Sequence, residues 1–142
     1  VLVEVGGHLD IDAFKGKHCV LVDEVQFLEP HIVHELRQIV TKHGVPVICY
    51  GLRADFRGEL FPACEVLLAL ADSLEEIKTT CAYCNRKAIM NLKHVDGVAT
   101  LSGTSVALGA EETYLPACYN CNVRETTIGV HCDKNAHETA SL

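Results

Sequence analysis

Two groups of residues in this 142-residue chain have the types and spacing to do chemistry. One is the adjacent acid pair Asp23-Glu24, which ends the aliphatic run His18-Cys-Val-Leu-Val. Acids at the carboxyl end of a strand stand where open α/β sheets bind ligands, so they can hold a metal or take a proton. They can equally solvate a strand-to-helix turn, and the dipeptide alone leaves both open. The other group is Cys81, Cys84, Cys118 and Cys121, spaced C-x₂-C-x₃₃-C-x₂-C. Two chelating pairs of soft ligands can close a tetrahedron around zinc, a coordinatively full and therefore structural site. A redox-active pair is the alternative, but no thioredoxin-like strand and helix flank either motif.

These residues need elements to position them. The unbroken apolar run before Asp23 suits a strand covered on both faces, as in a parallel sheet with helices on either side. Pro30 stands at a first helical turn, apolar Ile32, Val33, Leu36, Ile39 and Val40 recur at helical spacing, and Gly44 is a natural stop. His31 and His34 ride on this helix with no carboxylate or cysteine arranged beside them, and read as solvated. Residues 45–50 form a second apolar strand, which completes a βαβ unit. The loop 52–61 mixes Arg53 and Arg57 with Phe56 and Phe61. It either holds ligand at the same edge or caps the core with its aromatics. Residues 1–5 read as a strand, 11–16 as a brief helix, 65–71 as a short buried helix, and 75–80 as a strand running into Cys81.

From Cys81 to Cys121 the apolar runs are short and broken by Asn, Gly and Ser, so hairpins with little core need a staple. The staple would fix Asn91, Tyr114 and the segment around Leu108, Gly109 and Ala110. Beyond Arg124 the composition turns polar and predicts a loose tail.

Twelve Lys and Arg against 19 Asp and Glu give a formal charge of −7, which argues against nucleic acid or an anionic membrane as the main partner. No apolar run approaches the roughly 18 residues of a spanning helix, and no secretory signal opens the chain. The uneven distribution of eight cysteines also suits a reducing, cytoplasmic setting.

In order, Val20-Leu-Val-Asp-Glu-Val-Gln-Phe27, Cys49-Tyr-Gly-Leu-Arg-Ala-Asp-Phe-Arg-Gly-Glu-Leu-Phe61 and the paired cysteines resemble the C-terminal two thirds of a type II, cellular-type thymidine kinase. The resemblance runs from His18 to Cys121. It implies a P-loop-type α/β fold, with a parallel sheet between two helical layers and a small zinc-stapled lasso domain. Residues 1–80 would be the C-terminal part of the kinase domain, 81–124 the lasso and 125–142 a flexible tail. The implied reaction moves the γ-phosphoryl of Mg·ATP to the 5′-hydroxyl of thymidine. Asp23 is then the acid that holds Mg²⁺ through water, and Glu24 the base. Because the backbone turns at a strand end, two neighbouring acids can serve two ligands. Phe27, Leu52, Phe56 and Phe61 match the thymine slot, Tyr114 the lasso tyrosine, and Leu108, Gly109 and Ala110 its backbone readers. The family pattern there is Ile-Gly-Gly, so Ala110 is a departure.

The resemblance also implies a homotetramer, with thymidine and ATP as partners. A larger departure is that no G-x-x-x-x-G-K-[ST] run occurs in the 142 residues. The expectation is an incomplete, inactive piece of a salvage enzyme. The rival expectations are a non-catalytic zinc-stapled module for nucleoside binding or self-association, and a zinc-ribbon nucleic-acid binder, which lacks a basic cluster.

Overall fold

The protein is described by a computed structural model over residues 6–103 and 112–138, with side chains to residue 128. The expected strand at residues 1–5 lies outside the described residues. The chain is a mixed α/β protein of two compact units, one holding residues up to Ala54 and Leu60–Glu75, the other Asp55–Glu59 and the chain from Glu76.

In the first unit a 3₁₀ turn at Ile11–Phe14 precedes strand β1 (Val20–Val22), helix α1 (Pro30–His43), strand β2 (Val47–Cys49) and helix α2 (Pro62–Leu70). Strands β1 and β2 pair in parallel, Val20 with Val47, Leu21 with Ile48 and Val22 with Cys49, so the expected βαβ unit is present. Helix α1 starts at Pro30, whose missing N–H costs nothing in a first turn. It stops at Gly44, which takes φ 65° and donates its N–H to the Val40 carbonyl at 2.9 Å.

Ile32, Leu36 and Ile39 of α1 form a buried cluster with Val45, against which Val20, Val22, Val47 and Cys49 pack. Each such aliphatic side chain contributes about 1.5–3 kcal/mol by leaving water. Successive residues of a strand point to opposite faces, and here only one face meets a helix. Leu21 is 67% exposed and Ile48 45%, so the expectation of helices on both faces is met on one face among the described residues.

Helix α2 begins three residues earlier than its apolar pattern suggests, because Pro62 supplies a ready N1 position. It is less buried than expected: Ala63 and Cys64 are covered, whereas Leu68 is exposed. Asp72, just beyond it, pairs with Arg37 of α1.

The second unit contains β3 (Thr79–Thr80), β4 (Lys87–Ala88), β5 (Met90–Val95), β6 (Val98–Thr100), β7 (Glu112–Ala117) and α3 (Tyr119–Glu138). All its pairings are antiparallel, with β3 on β4 and the order β6-β5-β7 in a three-stranded sheet. The strand expected over 75–80 is reduced to Thr79–Thr80. Only those two residues find a partner strand, and Ile77 is 81% exposed.

Helix α3 runs on as far as Glu138. It is started by a buried first turn. Cys121, Asn122 and Thr126 are buried, and the Thr126 hydroxyl returns a hydrogen bond to the Asn122 carbonyl at 2.8 Å. Among the described residues no helix is long and apolar enough to cross a membrane.

Candidate active site and metal centre

Strand β1 stops where its carboxylates begin. The Asp23 carboxylate accepts the Glu24 N–H at 2.9 Å, a local bond that competes with continuation of the strand. Glu24 takes φ 52° and ψ 40°, the left-handed region that a residue with a Cβ occupies at a cost of about 1–3 kcal/mol. Its neighbours over-determine the turn. Val25 donates to the Tyr50 carbonyl at 3.0 Å, and Tyr50 donates to the Val22 carbonyl at 2.8 Å, which ties the turn to the end of β2. Asp23 and Glu24 are both exposed at this edge.

The buried residue beneath them is Gln26, 3% exposed within the 3₁₀ turn Val25–Phe27. Its amide nitrogen donates to Glu24 Oε2, and its Oε1 accepts the Leu52 N–H at 3.0 Å. Only this orientation of the amide satisfies both ends, because a carboxylate accepts and a backbone N–H donates. Gln26 therefore links the acid edge to the loop after β2. The Leu52 carbonyl is held in turn by the Cys64 thiol at 3.2 Å, so Leu52 is pinned on both sides. Outward from this frame Leu52 and Phe27 are 44% and 56% exposed, and Phe27 meets Phe61 edge to face at 6.1 Å. The first unit thus brings Asp23, Glu24, Phe27, Leu52 and Phe61 to one edge.

The close approach needs Gly51. A Cβ there would overlap Gln26 Oε1 and stand 2.8 Å from Val25 Cγ1. Gly51→Ala is expected to destabilise the protein by about 1–3 kcal/mol, the range for forced overpacking, read as a lower urea midpoint at unchanged slope. An unchanged midpoint would show that Gln26 is free to give way.

The second unit holds the other expected residues. Asp55 is buried and accepts the backbone N–H groups of Arg57 and Glu59 at 2.9 and 3.0 Å, which closes a tight turn. That turn drives Phe56 into the interior, 2% exposed, with the Arg57 guanidinium 5.1 Å and the Lys93 ammonium 5.2 Å from its ring centre. On the β5-β7 ladder Asn91 stands opposite Pro116 and Lys93 opposite Tyr114, so Asn91, Lys93 and Tyr114 share one face. Lys93 is 1% exposed and pairs with Glu112 at 2.9 Å. Leu108, Gly109 and Ala110 lie outside the described residues.

The opposite ends of this unit converge on sulfur. Cys81 follows β3, Cys84 closes the turn before β4, Cys118 joins β7 to α3, and Cys121 lies in the first turn of α3. One sulfur from each lies within 4.8 Å of all the others. The turn is shaped by backbone bonds, with Cys81 donating to Arg86 at 2.7 Å and Ala82 to Pro116 at 2.8 Å. Cys84 and Cys118 sulfurs stand 3.6 Å apart, far longer than a disulfide of about 2.05 Å, and all four are free thiols.

The Cys84 thiol is pulled down to about 6, first by the Arg86 backbone N–H and then by its side chain. Burial is the main reason that Cys121 is pushed up to about 12. Four sulfurs with no other covalent partner, one of them primed as thiolate, fit a tetrahedral thiolate centre for a metal ion.

Comparison with known proteins places the chain in a family. The family profile described as thymidine kinase matches residues 8–122. The chain belongs to the thymidine kinase family. The thymidine kinase of Streptococcus gordonii is 48% identical over 101 residues, covering 71% of this chain and 53% of the relative. That of Enterococcus faecalis is 49% identical over 100 residues, with 70% and 52% covered. That of Pasteurella multocida is 44% identical over 119 residues, with 83% and 60% covered. The chain spans about half the length of the first of these thymidine kinases.

The motifs point to Asp23, Glu24 and the cysteines, and Gly51 reads as a turn residue at the strand end, but Gln26 carries no role in the sequence. Gln26 stands inside the quoted Asp-Glu-Val-Gln-Phe motif, and an amide two residues after an acid was the available signal. Nothing local could show that its other end meets Leu52, 26 residues on.

Proposed function

We propose that the protein carrying these residues transfers the γ-phosphoryl of ATP to the 5′-hydroxyl of thymidine, and that this chain supplies the nucleoside and base side of the reaction. The observation that carries the reading is Glu24: a carboxylate at a strand end, in a left-handed backbone conformation, gripped by a buried amide. Backbone strain of this kind collects at functional sites. Its exposed Oε1 side is free to accept the hydroxyl proton as the phosphoryl group leaves ATP. Little other covalent help is needed, since phosphoryl transfer depends on positioning and charge neutralisation.

Asp23 is proposed to hold Mg²⁺ through water, the ion that would neutralise charge on the phosphates. Phe27, Leu52, Phe56 and Phe61 are proposed to offer apolar surface to thymine, with Asn91, Leu108, Gly109, Ala110 and Tyr114 as further contacts to the nucleoside. A methyl contact of the kind that separates thymine from uracil is worth about 1–3 kcal/mol. The metal of the four cysteines is read as zinc, which these thiolates would hold with no open position, so that it shapes the lasso and takes no part in chemistry. The finer fold reading is a P-loop-type parallel sheet, with residues 1–80 in the kinase domain and 81–124 in the lasso. A homotetramer and a cytoplasmic site of action in deoxynucleoside salvage complete the proposal.

The 142 residues contain no G-x-x-x-x-G-K-[ST] run to hold the phosphates. On their own they are therefore expected to convert no radiolabelled thymidine above background with Mg·ATP. Turnover would require a phosphate-binding arrangement of another kind within this chain, and would overturn the division of labour proposed here.

A further inference from the structure

A second group of metal-ligating side chains, sharing no residue with the acid pair or the cysteine cluster, lies in the first unit. His31 and Glu35, one helical turn apart, share a face of α1, and His8 reaches them from the segment before the 3₁₀ turn. One ligand atom from each of the three lies within 4.8 Å of the others. His8 Nδ1 is directly hydrogen-bonded to Glu35 Oε1 at 2.5 Å, a proton that a metal ion would replace, and the two imidazole rings are 4.9 Å apart.

The hydrogen bonds around His31 call for a positive charge, which a proton or a metal ion can supply. A carbonyl only accepts, so the 2.9 Å contact of His31 Nε2 with the Gly7 carbonyl puts a proton on Nε2. In the neutral ring Nδ1 then carries a lone pair, yet it faces Glu29 Oε2 at 3.3 Å. A lone pair and a carboxylate attract each other only through a positive charge, either a proton or a metal ion. Metal-bound histidines usually donate their second ring N–H to a carbonyl, as His31 does to Gly7. The carboxylates are oriented in the same way, Glu35 Oε2 by the Leu9 N–H at 2.8 Å and Glu29 Oε1 by the Gly6 N–H at 2.7 Å. Two imidazoles and a carboxylate are a donor set for nickel, cobalt, copper or zinc, and not for magnesium or calcium.

We propose that His8, His31 and Glu35 form a second metal site, for a divalent transition-metal ion, fastening residues 6–9 to α1. His8 is exposed, which leaves room for water at an open coordination position.

The test uses the full chain with its cysteine centre loaded with one equivalent of Zn²⁺, titrated calorimetrically with Ni²⁺ at pH 7.5. One further ion per chain is expected. His8→Ala and Glu35→Gln should each weaken its binding at least tenfold, and His34→Ala, exposed on the same helix, should leave it unchanged. His8 is on the surface, so its variant keeps the fold, checked by circular dichroism. Absence of a further equivalent, or one that survives both variants, would overturn the site and leave protonated imidazoles as the cations. Nickel–thiolate charge-transfer absorption during the titration would assign the ion to the cysteines and overturn it too.

Discussion

Glu24→Gln, made in the protein at the length of its relatives, is expected to lower kcat about 10²–10⁴-fold, the usual contribution of a positioned base, with KM for thymidine changed by no more than a few fold. The substitution keeps the shape and leaves an Oε atom to accept from the Gln26 amide, so the turn and its tie to Leu52 persist. Only the capacity to take a proton is lost. Because Glu24 is exposed, the change in stability should stay within about 0.5 kcal/mol, which separates a chemical loss from a folding one. Steady-state kinetics at saturating Mg·ATP are the measurement. An unchanged kcat would remove Glu24 from the role of base, and a large rise in KM would make it a binding residue instead.

Removal of the proposed zinc from the four cysteines is expected to have the larger structural effect. Among the described residues the buried cluster beside the cysteines holds Cys81, Ala88, Leu92, Ala99, Ala117, Cys118 and Cys121. Three of these seven are the proposed ligands and three are alanines, which have little apolar surface to bury. Structural zinc binding in small domains amounts to on the order of 10 kcal/mol, so the ion outweighs the rest of that core. Dialysis against a strong chelator, or Cys118→Ser, should abolish amide-exchange protection across β5 and β7. Full protection in verified metal-free protein would show that packing suffices.

The pH dependence has a definite sign. Cys84 titrates near 6 in the folded chain, below the ordinary thiol value of 9. A depressed thiol favours the folded state above its unfolded value and loses that contribution as pH falls through about 6. Protons also compete with the metal for sulfur. Metal release and loss of protection should therefore occur together on acidification toward pH 6 and below, and not on alkalinisation toward pH 9.

Much of the candidate site was legible because its signals are local. Helix α1 announces itself by Pro30, a 3.6-residue apolar period and Gly44, and each of these acts within one turn of its own backbone. The cysteine pairs are equally plain, since a chelating spacing is a property of a few adjacent residues. Strand burial was not legible. The run Val20-Leu-Val looks covered on both faces, but which face meets a helix depends on packing partners far along the chain, and Leu21 remains 67% exposed. A polar composition likewise does not register a helix started by the buried turn at Cys121 and Asn122.

By itself, then, the sequence determined which residues can do chemistry, the acids after β1 and the four thiols, along with the βαβ unit that carries the first. Tertiary structure alone decided how the acid is held. The left-handed Glu24, the Gln26 amide reaching Leu52, the space at Gly51 and the meeting of His8 with His31 and Glu35 all join residues 23 or more positions apart or depend on such a join. Hydrogen bonds and steric exclusion act over about 3 Å, and only the folded chain brings such distant residues within that range.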